Sequence, residues 1–199
     1  MFAKSQASEF SIQSPAMQRA ARYHQTIKAA ADRYSLDPNL LWTIAYLETG
    51  FRPELVSNKG ARGMMQFILA TGRRYGLVTV SDFHDSVQSI NAAARYVRDL
   101  CLLFDRRVDL ILAAYNAGEK AVISSGYKVP TNHETASYVV RGLSVFKRIT
   151  RANILAVYET ALPQGRSAKH NVYSRPRHSP RIQPAPSQTA STRSIYFAR

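Results

Sequence analysis

The chain has 199 residues, 45% of them hydrophobic, which is enough for one folded domain with some chain to spare. Its 27 basic residues against 13 acidic ones give a formal net charge of +14, a balance that favours anionic partners: phospholipid headgroups, nucleic acid or the acidic polymers of a bacterial wall. With no apolar run of about eighteen residues, no transmembrane helix is expected. One cysteine, Cys101, can form neither an internal disulfide nor a cysteine metal site, and between Leu100 and Leu102 it reads as core packing.

Residues 1–15 are rich in Ser, Gln and Ala and read as a flexible leader. Residues 1–18 lack the continuous apolar stretch of a classical signal peptide, so none is expected. A first helix is expected from Ala16 to Tyr34, where Tyr23, Ile27, Ala30, Ala31 and Tyr34 recur at helical spacing. Asp37-Pro38 then supplies an N-cap and a proline at the first helical position, opening a helix that Gly50 closes after Thr49. Phe51 to Ala61 reads as a loop, and Gly63 to Tyr75 as a further helix.

The clearest amphipathic segment is Ser86 to Phe104, with Val87, Ile90, Ala94, Val97, Cys101 and Phe104 at steps of three or four. A shorter helix follows from Val108 to Asn116, residues 119–133 read as an irregular loop, and a last long helix runs from Glu134 to Ile149 or beyond. Only Leu77 to Val80 suggests a short extended piece, so the fold class is mainly α. From 160 to 199 the chain carries seven basic residues and no acidic one, in a Pro-, Ser- and Gln-rich composition that cannot bury enough apolar surface to offset chain entropy. This divides the chain into a leader (1–15), a helical domain (16–159) and a basic, disordered tail (160–199).

Glu48 is the residue whose position suggests chemistry. Leu41, Ile44, Ala45 and Glu48 stand at i, i+3, i+4 and i+7, which puts a carboxyl group on the apolar face of its helix. Desolvation there disfavours the charged form, and so does the nearby helix C-terminus. Both effects push toward a protonated acid near neutral pH, the state needed to donate a proton to a leaving oxygen. On spacing alone a helix-end glutamate facing water, or paired with Arg52, fits as well.

The neighbouring motifs decide between these readings. Glu48-Thr49-Gly50-Phe51-Arg52-Pro53 is followed by Ser57-Asn58-Lys59-Gly60-Ala61-Arg62-Gly63-Met64-Met65-Gln66, then by Ala113-Ala114-Tyr115-Asn116-Ala117-Gly118, then by Glu134-Thr135 with Tyr138-Val139. In this order and at these separations the four segments resemble the signature of the soluble lytic transglycosylases, a lysozyme-like family, over roughly residues 25–150. The resemblance implies a helical lysozyme-like domain with a cleft for glycan strands, and a peptidoglycan lytic transglycosylase activity. Glu48 falls on the family's single catalytic glutamate. It would protonate the oxygen between N-acetylmuramic acid and N-acetylglucosamine, then accept the proton of the muramic C6 hydroxyl as a 1,6-anhydro ring closes.

By the same resemblance Ser57, Gln66, Tyr115, Asn116, Glu134 and Tyr138 would line the cleft and bind substrate. Each also has a plainer reading: a turn serine, a helix-surface glutamine, core aromatics, a helix-end asparagine, and a helix N-terminal acid. Gly60 and Gly63 suit tight turns, and Met64 and Met65 suit the core. Where family members often carry a proline three residues after the glutamine, this chain has Leu69, so the start of that helix is in question.

Ordinary glycosidases use two carboxyl groups, but Glu54, the acid nearest to Glu48, lies in a turn. The five histidines show no ligand spacing, and no metal or other cofactor is expected. The expected partners are peptidoglycan strands, together with the secretion-system or phage components that such wall-opening enzymes serve. A monomer in the cell envelope or periplasm is expected, with no specific nucleic-acid recognition. Hydrolysis by water, as in goose-type lysozymes, and glycan binding without cleavage are the alternatives.

Overall fold

The computed structural model describes residues 14–152, and the segments 1–13 and 153–199, which hold the expected leader and tail, lie outside the described residues. Eight helices occupy the described part: α1 (Pro15–Arg33), α2 (Pro38–Thr49), α3 (Leu69–Arg74), α4 (Val80–His84), α5 (Ser86–Leu103), α6 (Val108–Ala117), α7 (Glu119–Ser124) and α8 (His133–Ala152). The expectation of a mainly α protein holds. Among the described residues the only β pairing is two isolated antiparallel bridges, Val56 with Arg62 and Arg62 with Phe67.

The long helices start where their caps predict. Ser14 accepts from the Met17 N–H ahead of Pro15, and Asp37 accepts from the Asn39 N–H ahead of Pro38. Gly50, in the left-handed conformation, ends α2. This helix packs on α1, α5 and α8. Surrounded in this way, it is apolar almost all round: Leu40, Leu41, Trp42, Thr43, Ile44 and Ala45 are all buried. Between its partly exposed ends the helix is buried, and Glu48 is on the partly exposed last turn.

Three expectations need correction. The helix expected from Gly63 to Tyr75 is confined to Leu69–Arg74. Gly63 and Gln66 stand at φ of 74° and 49°, which no α-helix accommodates. The apolar run that suggested a helix instead sends Met64 and Met65 into the core. Within residues 119–133, read as irregular, α7 forms a six-residue helix anchored by the buried Val122. The extended piece expected at Leu77 to Val80 stops at Thr79, because Thr79 and Asp82 form a reciprocal capping box that opens α4. Leu69, in place of the family's proline, sits at the first position of α3, where proline is favoured but not required. Cys101 is buried, in keeping with a packing role.

The loop between α2 and α3 is held by its own backbone hydrogen bonds and by one close approach from outside. Arg62 and Phe67 exchange two backbone hydrogen bonds, and the Gly63 N–H donates to Leu55 O. At Gly63 the backbone lies directly against the Phe83 carbonyl, and an added Cβ would come within 1.7 Å of that oxygen. Gly60 has a similar φ of 79° with open space around it. Gly60→Ala is therefore expected to cost about 1 kcal/mol, and Gly63→Ala more than about 4 kcal/mol or loss of folding. Thermal melting of the two variants measures the difference, and equal melting temperatures would contradict the close approach.

Candidate active site

A cleft of about 540 Å³ runs across the molecule, a volume inside the range of roughly 300–1,000 Å³ usual for ligand sites. The α2–α3 loop, the end of α6 with the start of α7, and the start of α8 form its walls. Glu48, Ser57, Gln66, Tyr115, Asn116 and Glu134 all line it. Of the seven residues expected from the sequence, only Tyr138 stands behind the lining, buried, and it reaches the site through Glu48.

Glu48 is half-buried at the end of α2. The Tyr138 hydroxyl donates to its Oε1 at 2.6 Å from α8. Burial pushes the Glu48 pKa from an ordinary 4.5 up to about 7, against the lowering effects of the Tyr138 hydrogen bond and the Arg141 charge. The alternative partner, Arg52, turns away, and its Nε donates to Thr49 O. Glu54 is exposed. Tyr115 stands near enough for the Glu48 charge, after burial, to help hold its phenol well above the usual range. Its hydroxyl donates to Met65 O at 2.8 Å, which ties α6 to the loop.

The remaining expected residues combine lining with structure. Ser57 Oγ accepts from the Ala61 N–H, as a turn serine does, while facing the cleft. Gln66 is not on a helix. Its amide nitrogen donates to Leu55 O at 3.3 Å and Gly63 O at 2.9 Å, so only its carbonyl oxygen remains for a ligand. Asn116 Oδ1 accepts from the Thr135 hydroxyl. Glu134 is exposed and pairs with Lys59 at 3.0 Å, which joins α8 to the loop.

Sequence reading missed several contributors. Thr49 donates through its hydroxyl to Met64 O at 2.9 Å and accepts from the Arg52 N–H, which locks the loop to the helix that carries Glu48. Lys59, Tyr96 and Glu119 line the cleft as well. Nothing local in the sequence marked Tyr96, which lies in the middle of an amphipathic helix. Glu119 had a signal, since it directly follows the Ala113–Gly118 motif. No cluster of three or more metal-ligating side chains occurs among the described residues.

Comparison with known proteins places this arrangement. The family model described as the transglycosylase SLT domain matches residues 25–136. The chain belongs to this SLT family. A membrane-bound lytic murein transglycosylase F of Maricaulis maris is 37% identical over 109 residues, 50% of this chain and 23% of that protein. A membrane-bound lytic murein transglycosylase D of Escherichia coli is 31% identical over 123 residues, 54% of this chain and 27% of that one. The chain thus spans about a quarter of the length of these curated relatives. The SLT domain also superimposes on an inactive mutant of the lytic transglycosylase Slt from Pseudomonas aeruginosa, with a TM-score of 0.61 at 21% identity over 75% of this chain and 27% of that one. The 70 kDa soluble lytic transglycosylase of Escherichia coli gives 0.60 at 22% identity, over 66% of this chain and 24% of that one. The lysozyme-like helical fold is therefore shared.

A carboxyl group whose pKa is raised by folding binds protons more tightly in the folded SLT domain than in the unfolded chain. Its cost is absent below pH 4.5 and grows as the pH rises through 4.5 to about 7. Over that window Glu48 is expected to remove about 3 kcal/mol of stability. Glu48→Gln should consequently melt above wild type at pH 8 and level with it at pH 4. A stability difference that does not change with pH would contradict the buried, proton-holding carboxyl.

Proposed function

We propose that this domain is a peptidoglycan lytic transglycosylase with Glu48 as its only proton-transferring carboxyl group. The observation that carries the reading is Glu48 itself: half-buried in a cleft, fixed by Tyr138, with a pKa lifted to about 7. The other two carboxylates that line the cleft are each paired with a cation, Glu134 with Lys59 and Glu119 with Arg74. Membership of the SLT family and the names of the murein-acting relatives support the substrate class.

The chemistry then needs one group twice. Glu48 gives its proton to the bridging oxygen between N-acetylmuramic acid and N-acetylglucosamine, and the bond from the muramic anomeric carbon to that oxygen breaks. The Glu48 carboxylate next takes the proton of the muramic C6 hydroxyl. The C6 oxygen bonds to the anomeric carbon, which closes the 1,6-anhydro ring and restores the acid. Tyr138 orients the carboxyl group through both steps, because its hydrogen bond persists whichever oxygen carries the proton. The domain would work in the cell envelope, where a secretion machine or a phage particle needs the wall opened locally.

Digestion of purified sacculi followed by mass spectrometry is expected to yield 1,6-anhydromuramic ends. Reducing ends alone would mean hydrolysis by water, and intact sacculi would mean a binding module. Glu48→Gln should fold and lose at least about 100-fold in rate.

The acid must be protonated to act, so the rate should fall as pH rises through about 7. Tyr138→Phe removes an interaction that lowers the Glu48 pKa, and should move this descending limb to higher pH. A limb that stays in place, or moves down, would remove Tyr138 from its role.

A further inference from the structure

Apart from the contacts of Glu48, Tyr115, Gln66 and Ser57, two clusters of polar side chains stand on the cleft. One joins Lys59 to Glu134, beside Asn116 and Thr135. The other gathers around Glu119, at the start of α7, and takes no part in the chemistry above. The Tyr96 hydroxyl, from α5, lies 3.0 Å from Glu119 Oε2 and 3.2 Å from Ala114 O. Arg74, at the end of α3, donates to Glu119 Oε1 at 3.0 Å. The Arg74 guanidinium also lies over the rings of Tyr75 and Tyr96, at 5.2 and 5.9 Å from their centroids. Three helices thus converge on one carboxylate that lines the cleft.

The Glu119 side chain is 23% exposed, so it is supported from behind and still reachable from the cleft. Burial opposes its charge. Its own backbone N–H, Arg74 and Tyr96 outweigh that effect and hold its pKa below the usual carboxylate value. An ionised carboxylate has about four lone-pair directions. Arg74, Tyr96 and its own backbone N–H take three, which leaves acceptor capacity on a carboxylate that lines the cleft. Beside it a file of aromatic rings leads back toward the reacting centre, with Tyr96 5.1 Å from Tyr75 and 5.5 Å from Tyr115. A rigid acceptor beside the rings of Tyr96 and Tyr115, which also line the cleft, suits a ligand with one apolar face and a rim of hydroxyl and amide donors. A pyranose sugar has that form.

We propose that Glu119 is a glycan-binding residue of this cleft, accepting hydrogen bonds from the hydroxyl or acetamide N–H groups of a sugar unit outside the pair that Glu48 cleaves. This rests on the glycan-cleaving reading of the cleft. Arg74 and Tyr96 act as positioning residues that fix the carboxylate. The domain would then grip a strand over more units than cleavage itself requires, and Glu119 would raise affinity for long glycans without altering the rate of the chemical step.

The test measures binding of N-acetylglucosamine oligomers of increasing length to the full chain by calorimetry, in the non-cleaving Glu48→Gln background. With Glu119 intact, affinity should rise with oligomer length. Adding Glu119→Ala should cost about tenfold or more for the longest oligomer, the loss of hydrogen bonds to a charged acceptor, and leave the shortest unaffected. With Glu48 restored, KM on sacculi should rise while kcat holds. An unchanged length dependence in a variant that melts normally would overturn the proposal. Should Glu119→Ala fail to fold, Glu119→Gln keeps the shape and one acceptor oxygen but loses the charge. A flattened length dependence in that variant would then support the role of Glu119, and an unchanged one would overturn it. Oligomers of no length binding while Glu119 is intact would overturn the glycan reading as a whole, whereas a length dependence that survives loss of Glu119 overturns only this residue's part.

Discussion

The fold is organised around one electrostatic conflict, a carboxyl group placed where water is scarce. The α2 helix is apolar on every side over most of its length because α1, α5 and α8 surround it. Glu48 is on its last turn, where the core ends and the cleft begins. The Tyr138 hydroxyl at 2.6 Å resolves the conflict in part, since it offers a hydrogen bond without a formal charge.

The surroundings keep that geometry from relaxing. Thr49, beside Glu48, holds Met64 O through its hydroxyl, so the loop that forms one wall of the cleft is fastened to α2. Tyr115 holds Met65 O from α6, and Thr135 holds Asn116 from α8. These three side-chain ties link α2, α6 and α8 to one another and to the loop. They replace the regular backbone pairing that residues 51–68 lack.

Much of this was legible from residue order. The caps at Asp37 and Gly50, the three- and four-residue steps of α5, and the four motif segments locate the long helices and the cleft-lining residues. What escaped depends on contacts distant in sequence. Gly63 was readable as a turn glycine, but Gln66 takes left-handed backbone where its side chain is held by Leu55 O and Gly63 O, and no local propensity encodes that. The apolar pair Met64-Met65 imitates helix periodicity while serving as a plug in the core. Tyr138 was legible as a motif residue but not as the partner of Glu48, because only packing of α8 on α2 brings residues 90 positions apart into contact. The capping box at Thr79 and Asp82 was readable in principle, but its helix has only five residues and a single buried side chain.

Gln66 shows how the scaffold limits its own variation. Both hydrogens of its amide nitrogen point at main-chain oxygens, those of Leu55 and Gly63. Glutamate differs from glutamine by little in shape, yet at this position it would set a carboxylate against two carbonyls, losing both side-chain hydrogen bonds and leaving those oxygens only their backbone donors, the Gly63 and Gln66 N–H groups. The loop would have to open before the substitution could be tolerated. The position therefore resists the single-step change that would bring another acid into the cleft, and evolution from this scaffold toward a two-carboxylate hydrolase would have to begin elsewhere on the wall.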